Sequence, residues 1–202
     1  MRRLLVSVLA VSVLMGGSVQ ARAEAMKFTI EKPHTQILFF VNHLGYSHSM
    51  GKFMDHTGTI MWNKDAPEKS SVEVSIPTTS LEMGDATWND HLKAAKYFDV
   101  AQFPTMTFKS TGIEKTGEKT ANITGDLTLK GVTKPVVLAT TFNNQGKHPF
   151  AGKEWIGFSA NTTIKRSEFG MTEAIPMVGD DVEIRLEVEA FVEDPANNTN
   201  KQ

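Results

Sequence analysis

The last regular segment of the chain, residues 182–192, alternates between apolar and charged side chains. From Val182 to Ala190 every even position is apolar and every odd position is charged. A strand places successive side chains on opposite faces, so this segment would have one apolar face and one charged face. A helix would spread the same residues around its axis and leave no continuous apolar face. The pattern therefore predicts a half-buried antiparallel strand.

The same two-residue period recurs along the chain between residues that favour turns. It recurs within residues 28–30, 37–41, 59–62, 72–76, 106–108, 123–129, 136–142 and 156–164. Together with residues 182–192 these are nine segments, some of them very short, and they predict a fold of about eight strands. Residues 45–51 and 143–153 are rich in polar residues or glycine and are expected to be connections, and residues 166–179 are expected to be irregular. Lys130-Gly131 is typical of a two-residue hairpin turn.

One segment has a helical period instead. Between Asp85 and Lys96 the apolar residues Trp88, Leu92 and Ala95 recur at spacings of four and three. Asp85 is expected to cap the N-terminus of this helix, and Lys93 lies favourably near its C-terminus.

Many short antiparallel strands and a single helix indicate an all-β fold. Closing the sheet removes free strand edges, so we predict an eight-stranded antiparallel barrel with one short helix. A β-sandwich is the alternative, and periodicity alone leaves it open.

The N-terminus has the pattern of a secretory signal peptide. Basic residues Arg2 and Arg3 precede an apolar run from Leu4 to Met15, which is short for a membrane span, and small residues follow. Cleavage is expected after Ala23, with Ala25 as the alternative. This gives a signal peptide at 1–23, one β-barrel domain at 24–193 and a polar, disordered tail at 194–202. The predicted location is the periplasm.

Charge and cysteine content narrow the possible partners and stabilising bonds. Cleavage after Ala23 removes three arginines and leaves 18 basic against 23 acidic residues, a net charge of −5. This balance argues against a nucleic-acid partner. There is no cysteine, so the mature chain is stabilised without disulfides. No later segment is long and apolar enough to span a membrane, although transient contact with membranes is expected.

The polar residues give no clear catalytic or metal-binding pattern. His43, His48 and His56 lie close in sequence, but without the regular spacing of a zinc site. Asp90 and His91 would point in different directions on a helix and so could not easily serve one reaction centre. No serine has a nucleophile-elbow motif around it and no glycine-rich phosphate loop occurs. We predict no metal, no cofactor and no catalytic residue.

The aromatic residues leave two interpretations of the barrel interior. Large aromatic side chains normally belong to a packed core, and patterning alone favours a filled barrel. An eight-stranded barrel can nevertheless hold one small ligand, and a wall of apolar side chains suits an apolar one.

Several motifs resemble those of one known family, in the same order along the chain. They lie at residues 34–47, 51–53, 90–93, 97–100, 103–108, 125–135 and 178–180. On these residues the chain resembles the YceI-like family of exported polyisoprenoid-binding proteins. The resemblance implies an extended, lipocalin-like barrel with the helix covering one end. It also implies a long isoprenoid chain, a polyprenyl lipid or a quinone tail, as a bound ligand, and a homodimer as the assembly.

The family pattern assigns candidate residues to the binding tunnel. Those on the apolar wall are Ile37, Phe39, Val41, His43, Phe53, Trp88, Leu92, Phe98, Met106, Phe108, Leu127 and Phe158. His91, Lys93 and Arg166 are candidate contacts for a lipid headgroup. The expected function is that of a carrier or store for the lipid. The alternatives are an enzyme acting on such lipids through His43 or His91, and a structural or interaction protein with a filled barrel.

Overall fold

The computed structural model describes residues 24–193, and the predicted signal peptide and tail lie outside the described residues. The strands in this part are β1 (Met26–Ile30), β2 (Gln36–His43), β3 (Ser47–Phe53), β4 (Thr57–Trp62), β5 (Ser71–Pro77), β6 (Leu81–Glu82), β7 (Thr105–Lys115), β8 (Thr120–Leu129), β9 (Val132–Lys147), β10 (Glu154–Lys165) and β11 (Val178–Phe191). Helix α1 (Ala86–Lys93) lies between β6 and β7, and short 3-10 helices form at Pro67–Lys69, Thr78–Ser80 and Arg166–Phe169.

Eight strands close into an antiparallel barrel. Their order is β1-β4-β5-β7-β8-β9-β10-β11, and β11 pairs back with β1 through Thr29 opposite Phe191 and Ile30 opposite Ala190. The sheet is therefore a single closed one rather than two packed layers. The predicted all-β, eight-stranded barrel is confirmed, and the sandwich alternative is wrong.

The remaining three strands lengthen the barrel on one side. β2 continues from β1 and pairs with the first half of β11, β3 pairs with β2, and β6 pairs with β3. Thus β1–β2, β3–β4 and β5–β6 are three long strands, interrupted by links at residues 31–35, 54–56 and 78–80. We call this level of the barrel, where the three links lie side by side, the waist.

The two ends of the barrel differ in what covers them. At one end, the helix end, α1 and residues 94–104 connect β6 to β7, near the turns at residues 44–46 and 130–131. At the other, the loop end, lie the connections at 63–70, 116–119 and 148–153. Lys130 and Gly131 have φ angles of 50° and 74°, as the predicted hairpin turn requires.

Helix α1 begins as predicted and ends early. The Asp85 carboxylate accepts a hydrogen bond of 2.9 Å from the backbone N–H of Trp88, so Asp85 is the N-cap. The helix ends at Lys93 rather than Lys96, because Ala94 adopts an extended conformation with ψ of 165°. Leu92 of the helix and Phe98 of the connection that follows it pack against the cluster of buried side chains at the helix end.

Two segments predicted to be connections are strands. Residues 45–51 mostly belong to β3, in which Ser47 to Phe53 pair residue by residue with His43 to Ile37 of β2. The predicted connection at 143–153 was too long, because β9 runs on to Lys147 and pairs with β10 across a register shift at Gly157/Phe158. In both places the segment forms a strand because it pairs with its neighbour, although its own residues do not predict a strand.

Gly125 of β8 is a position where a side chain would not fit. A Cβ atom there would lie 2.3 Å from Cζ of Phe108 and 2.7 Å from the carbonyl oxygen of Lys109. At Gly112 of the paired strand β7, a Cβ atom would meet nothing within 4 Å. We expect Gly125→Ala to lower the free energy of unfolding by about 1–3 kcal/mol, and the matched Gly112→Ala to change it by less than about 0.5 kcal/mol. Urea unfolding of both variants checks this, and equal effects would contradict it.

Candidate ligand-binding tunnel

An apolar cavity of about 530 Å³ runs through the inside of the barrel. This volume is within the range of about 300–1,000 Å³ that is usual for sites that bind small molecules. Every strand except β6 contributes to the wall, and Leu92 and Phe98 contribute from the helix end. We call this cavity the tunnel.

The alternation that predicts the strands also builds the wall. In β11 the apolar residues Val182, Ile184, Leu186 and Val188 all line the tunnel. The charged residues between them do not; the guanidinium of Arg185, for example, donates a hydrogen bond of 2.7 Å to Glu183 on the outer face. One face of each strand thus meets the tunnel and the other faces solvent.

Aromatic clusters stand at both ends of the tunnel. At the helix end, the ring centroid of Phe98 lies 6.3 Å from that of Phe39 and 5.6 Å from that of Phe53. At the loop end, Trp62 stacks on Phe142 at 5.6 Å. Phe158 meets both of these rings edge-on, at 5.5 and 5.7 Å. All of these rings line the tunnel, so its apolar wall is continuous from one end to the other.

The tunnel reaches the surface at the loop end. Its lining there includes Lys64, Lys115, Glu118 and Lys119, and all four of these side chains are exposed to solvent. Between these charged residues and the helix end, the wall is almost wholly apolar. The loop end is therefore the mouth through which a long apolar molecule could enter.

Most of the candidate tunnel residues lie together on this wall. The residues that the structure brings together are Ile37, Phe39, Val41, Phe53, Leu92, Phe98, Met106, Phe108, Leu127 and Phe158. His43 and Trp88 are not part of the lining; their rings lie 6.4 Å apart at the helix end. His43 is the last residue of β2 and shares the face of Phe39 and Val41.

Several lining residues were not among the candidates. They include Trp62, Val74, Val136, Leu138, Phe142 and Ile184. Each is an apolar residue on the inward face of a strand, and the two-residue period was the signal that could have identified them.

The candidate headgroup contacts are not grouped at one place on the tunnel. His91 contacts the hydroxyl of Tyr97 at 3.3 Å, and neither His91 nor Lys93 lines the tunnel. Arg166 does line it, but its side chain is only 6% exposed. Their assignment to a headgroup stays a prediction.

Arg166 is held by backbone carbonyl groups. Its Nε donates to Gly179 and its Nη1 to Met171, both at 2.8 Å, and its Nη2 donates to Glu173 and Val178 at 2.9 and 3.0 Å. Four of the five N–H donors of a guanidinium are therefore in use. Burial lowers the pKa of Arg166, although the nearby Asp180 raises it. This side chain ties Met171, Glu173 and the start of β11 to the 3-10 helix that follows β10.

Asp180 supports the same region. Burial alone would raise the pKa of its carboxyl group, but hydrogen bonds of 2.9 and 2.8 Å from the backbone N–H and the hydroxyl of Ser167 hold this pKa below its ordinary value. The helix end of the barrel is thus fixed by the hydrogen bonds of Arg166 and Asp180.

Within residues 24–193 no group of three or more histidine, aspartate and glutamate side chains could hold a metal ion. In the same part of the chain, no helix is long and apolar enough to cross a membrane. His43 and His91, the candidates for an enzymatic role, do not reach the tunnel.

A closed eight-stranded barrel around an open apolar tunnel defines the class of lipocalin-like barrels. The sequence comparisons give the family. The family model described as "YceI-like domain" matches residues 28–190, and the chain belongs to this family.

Relatives and solved structures agree with this family. A UPF0312 protein from Pseudomonas putida (strain W619) is 41% identical over 163 residues, which cover 81% of this chain and 84% of the relative. The Campylobacter jejuni YCEI protein has a similar structure, with a TM-score of 0.69 and 32% identity over 76% of this chain and 90% of that one. A polyisoprenoid binding domain from Saccharophagus degradans shares the fold, with a TM-score of 0.65 and 12% identity over 85% of this chain and all of that one.

Proposed function

We propose that this protein is an exported binding protein that holds one long isoprenoid lipid in the tunnel, as its carrier or store. The observation that carries the proposal is the continuous apolar wall from Phe98 at the helix end to Trp62 at the loop end. The polyisoprenoid binding domain from Saccharophagus degradans, which has the same fold, gives it further support. The signal-peptide pattern at residues 1–23 supports a periplasmic location.

Burial of the apolar chain supplies the binding energy. Each methylene group that leaves water contributes about 0.8 kcal/mol, so a five-carbon isoprene unit contributes roughly 4 kcal/mol before the costs of ordering it. A few units inside the tunnel would suffice for tight binding without a charged anchor. This agrees with a wall on which charged side chains lie only at the mouth and at Arg166, four of whose five N–H donors are bound to backbone carbonyl groups.

The other two functions have less support. A filled barrel would leave no cavity of about 530 Å³. An enzyme would need a reactive group that reaches the lipid, and neither His43 nor His91 lines the tunnel. We therefore propose binding without chemical conversion of the lipid.

The lipid itself provides the test. The protein is purified from the periplasmic fraction of its own host and extracted with organic solvent, and the extract is analysed by mass spectrometry. We expect about one isoprenoid lipid per chain, chemically unmodified after long incubation with the protein. In the matched experiment, recombinant apoprotein should bind a fluorescent apolar probe that a prenyl lipid displaces. Empty extracts from several preparations, with no displacement of the probe, would contradict the proposal.

A further inference from the structure

The hairpin of β9 and β10 carries an exposed apolar turn at the loop end of the barrel. The turn contains Pro149, Phe150 and Ala151, and all three residues are exposed. Phe150 is 95% exposed, which is the largest exposure of any large hydrophobic residue within residues 24–193. We call residues 149–151 the tip. An aromatic ring in water gains free energy when a partner covers it, so the tip is a candidate contact surface.

Hydrogen bonds within the turn hold the tip in this exposed position. The backbone N–H of His148 donates to the carbonyl oxygen of Lys153 at 2.8 Å and closes the turn. Nδ1 of the His148 ring accepts from the backbone N–H groups of Phe150 and Ala151, at 3.3 and 3.1 Å. The exposure of Phe150 is therefore a property of an ordered turn.

The tip belongs to the hairpin that forms one side of the mouth. Gln145 of β9 lines the tunnel, and the N–H of Phe142 donates to the carbonyl oxygen of Lys119, which also lines the mouth, at 2.7 Å. β9 continues for six residues past Thr141, which pairs with Thr120 at the start of β8. The hairpin therefore extends past the part of the rim that β7 and β8 form, and it carries the tip there.

The charges around the mouth suit a surface that bears phosphate groups. Three of the four charged side chains that line the mouth belong to lysines, Lys64, Lys115 and Lys119, and the fourth belongs to Glu118. The connections at the loop end hold four lysines and three acidic residues, although the chain as a whole has more acidic than basic residues. Lysine ammonium groups attract phosphate as point charges. The acidic excess of the chain thus lies away from the mouth.

We propose that the loop end docks on the surface of a phospholipid bilayer, with Phe150 inserted among the headgroups and the mouth facing the membrane. This inference rests on the proposed function and names the partner with which the protein exchanges its lipid. A long isoprenoid dissolves in a bilayer and not in water, so the mouth must meet a bilayer to load or release it. An aromatic side chain beside lysines is typical of a segment that anchors at a membrane interface.

The helix end offers a matched control. Tyr46, in the turn at residues 44–46, is an aromatic residue that is 90% exposed. It lies at the opposite end of the barrel from the mouth, and neither Tyr46 nor Phe150 lines the tunnel. Tyr46→Ser and Phe150→Ser therefore each remove one exposed ring, from opposite ends, and leave the tunnel wall intact.

The test measures membrane binding and tunnel binding separately. The proteins are the wild type, Phe150→Ser and Tyr46→Ser. Co-sedimentation gives their affinity for vesicles of phosphatidylethanolamine and phosphatidylglycerol, and a fluorescent prenyl probe in solution gives the affinity of the tunnel. We expect Phe150→Ser to bind the vesicles at least about tenfold more weakly, because it loses the insertion of an aromatic ring. Its affinity for the probe should stay within about twofold of the wild type. Tyr46→Ser should match the wild type in both measurements.

The outcomes distinguish failure of this inference from failure of the proposed function. If the wild type binds the probe but not the vesicles, or if Phe150→Ser binds the vesicles as the wild type does, docking through the tip is wrong and the tunnel function stands. A loss of vesicle binding in Tyr46→Ser alone would place the contact at the helix end and would also overturn the inference. If the wild type does not bind the probe, the proposed function fails, and the inference fails with it.

Hydrogen exchange of the wild type on the same vesicles gives a second measurement that needs no variant. The backbone amides of residues 148–153 should exchange more slowly on the membrane than in solution, and those of residues 44–46 should be unchanged. Protection of residues 44–46 without protection of residues 148–153 would contradict docking through the loop end.

Discussion

Phe39→Asp is expected to abolish uptake of isoprenoid lipid, with a loss of affinity of at least about 100-fold. Phe39 lines the tunnel, and its ring centroid lies 5.9 Å from that of Phe53. Its ring extends over Gly51, where a Cβ atom would lie only 2.2 Å from Cζ of Phe39. Aspartate would place a carboxylate among the aromatic rings of the helix end. An apolar chain passing this point would remove water from that charge, at a cost of several kcal/mol.

The adjacent residue provides a matched control. Phe40 is on the outer face of the same strand, where the guanidinium of Arg185 lies 4.7 Å from its ring centroid. Phe40→Asp introduces the same charge one residue away, and we expect its lipid affinity to remain within about threefold of the wild type, since this side chain points away from the tunnel. Circular dichroism establishes that both variants are folded, and titration with a fluorescent prenyl probe measures uptake. If the two folded variants bound the lipid with equal affinity, β2 would not be part of the binding site.

Arg166→Met is expected to cause a large loss of stability. The variant keeps much of the side-chain volume but leaves four carbonyl oxygens, of Gly179, Met171, Glu173 and Val178, without their donor. Each buried group that loses its partner costs about 1–3 kcal/mol, although water can reach some of them. We expect the free energy of unfolding to fall by at least about 3 kcal/mol, or about 6–12 °C in Tm for a chain of this size.

Two further substitutions show whether the carbonyl contacts are responsible. Arg166→Lys keeps the charge, but its three N–H donors cannot reach all four carbonyl oxygens. Its free energy of unfolding should therefore lie between that of the wild type and that of Arg166→Met. Arg185→Met removes an exposed arginine that pairs with Glu183 and lies over the ring of Phe40, and it should cost about 1 kcal/mol or less. The measurement is urea unfolding of all three variants. A similar cost for Arg166→Met and Arg185→Met would show that the carbonyl contacts contribute little.

The sequence predicts the long, regular strands of the barrel well. In β11, alternation alone identifies Val182, Ile184, Leu186 and Val188 as one face, and the structure places that face on the tunnel. The two-residue period identifies these strands because one face of each is apolar and lines the interior, while the other face is polar and exposed to solvent. Strand β3 has no such period: it contains Ser47, Ser49 and Gly51, and it forms because β2 pairs along its whole length. That information lies in contacts between strands and not in the local residues.

The tunnel could be predicted only in part. The alternation of apolar residues indicates which side chains point inward, but it does not show whether they meet in the middle. That depends on the radius of the closed barrel and on the volumes of all the inward side chains together. His43 shows a second limit, because it shares the face of Phe39 and Val41 but is not part of the tunnel lining. The burial of His56, which is 2% exposed, could not be predicted either, since it depends on which atoms surround the ring.

Electron density in crystals of the protein saturated with a long prenyl lipid would show whether the tunnel is the binding site. We expect one continuous tube of density inside the barrel, from the cluster of Phe39, Phe53 and Phe98 to the cluster of Trp62, Phe142 and Phe158. A barrel whose interior is filled by its own side chains, with the lipid absent or bound on the outer surface, would contradict binding in the tunnel.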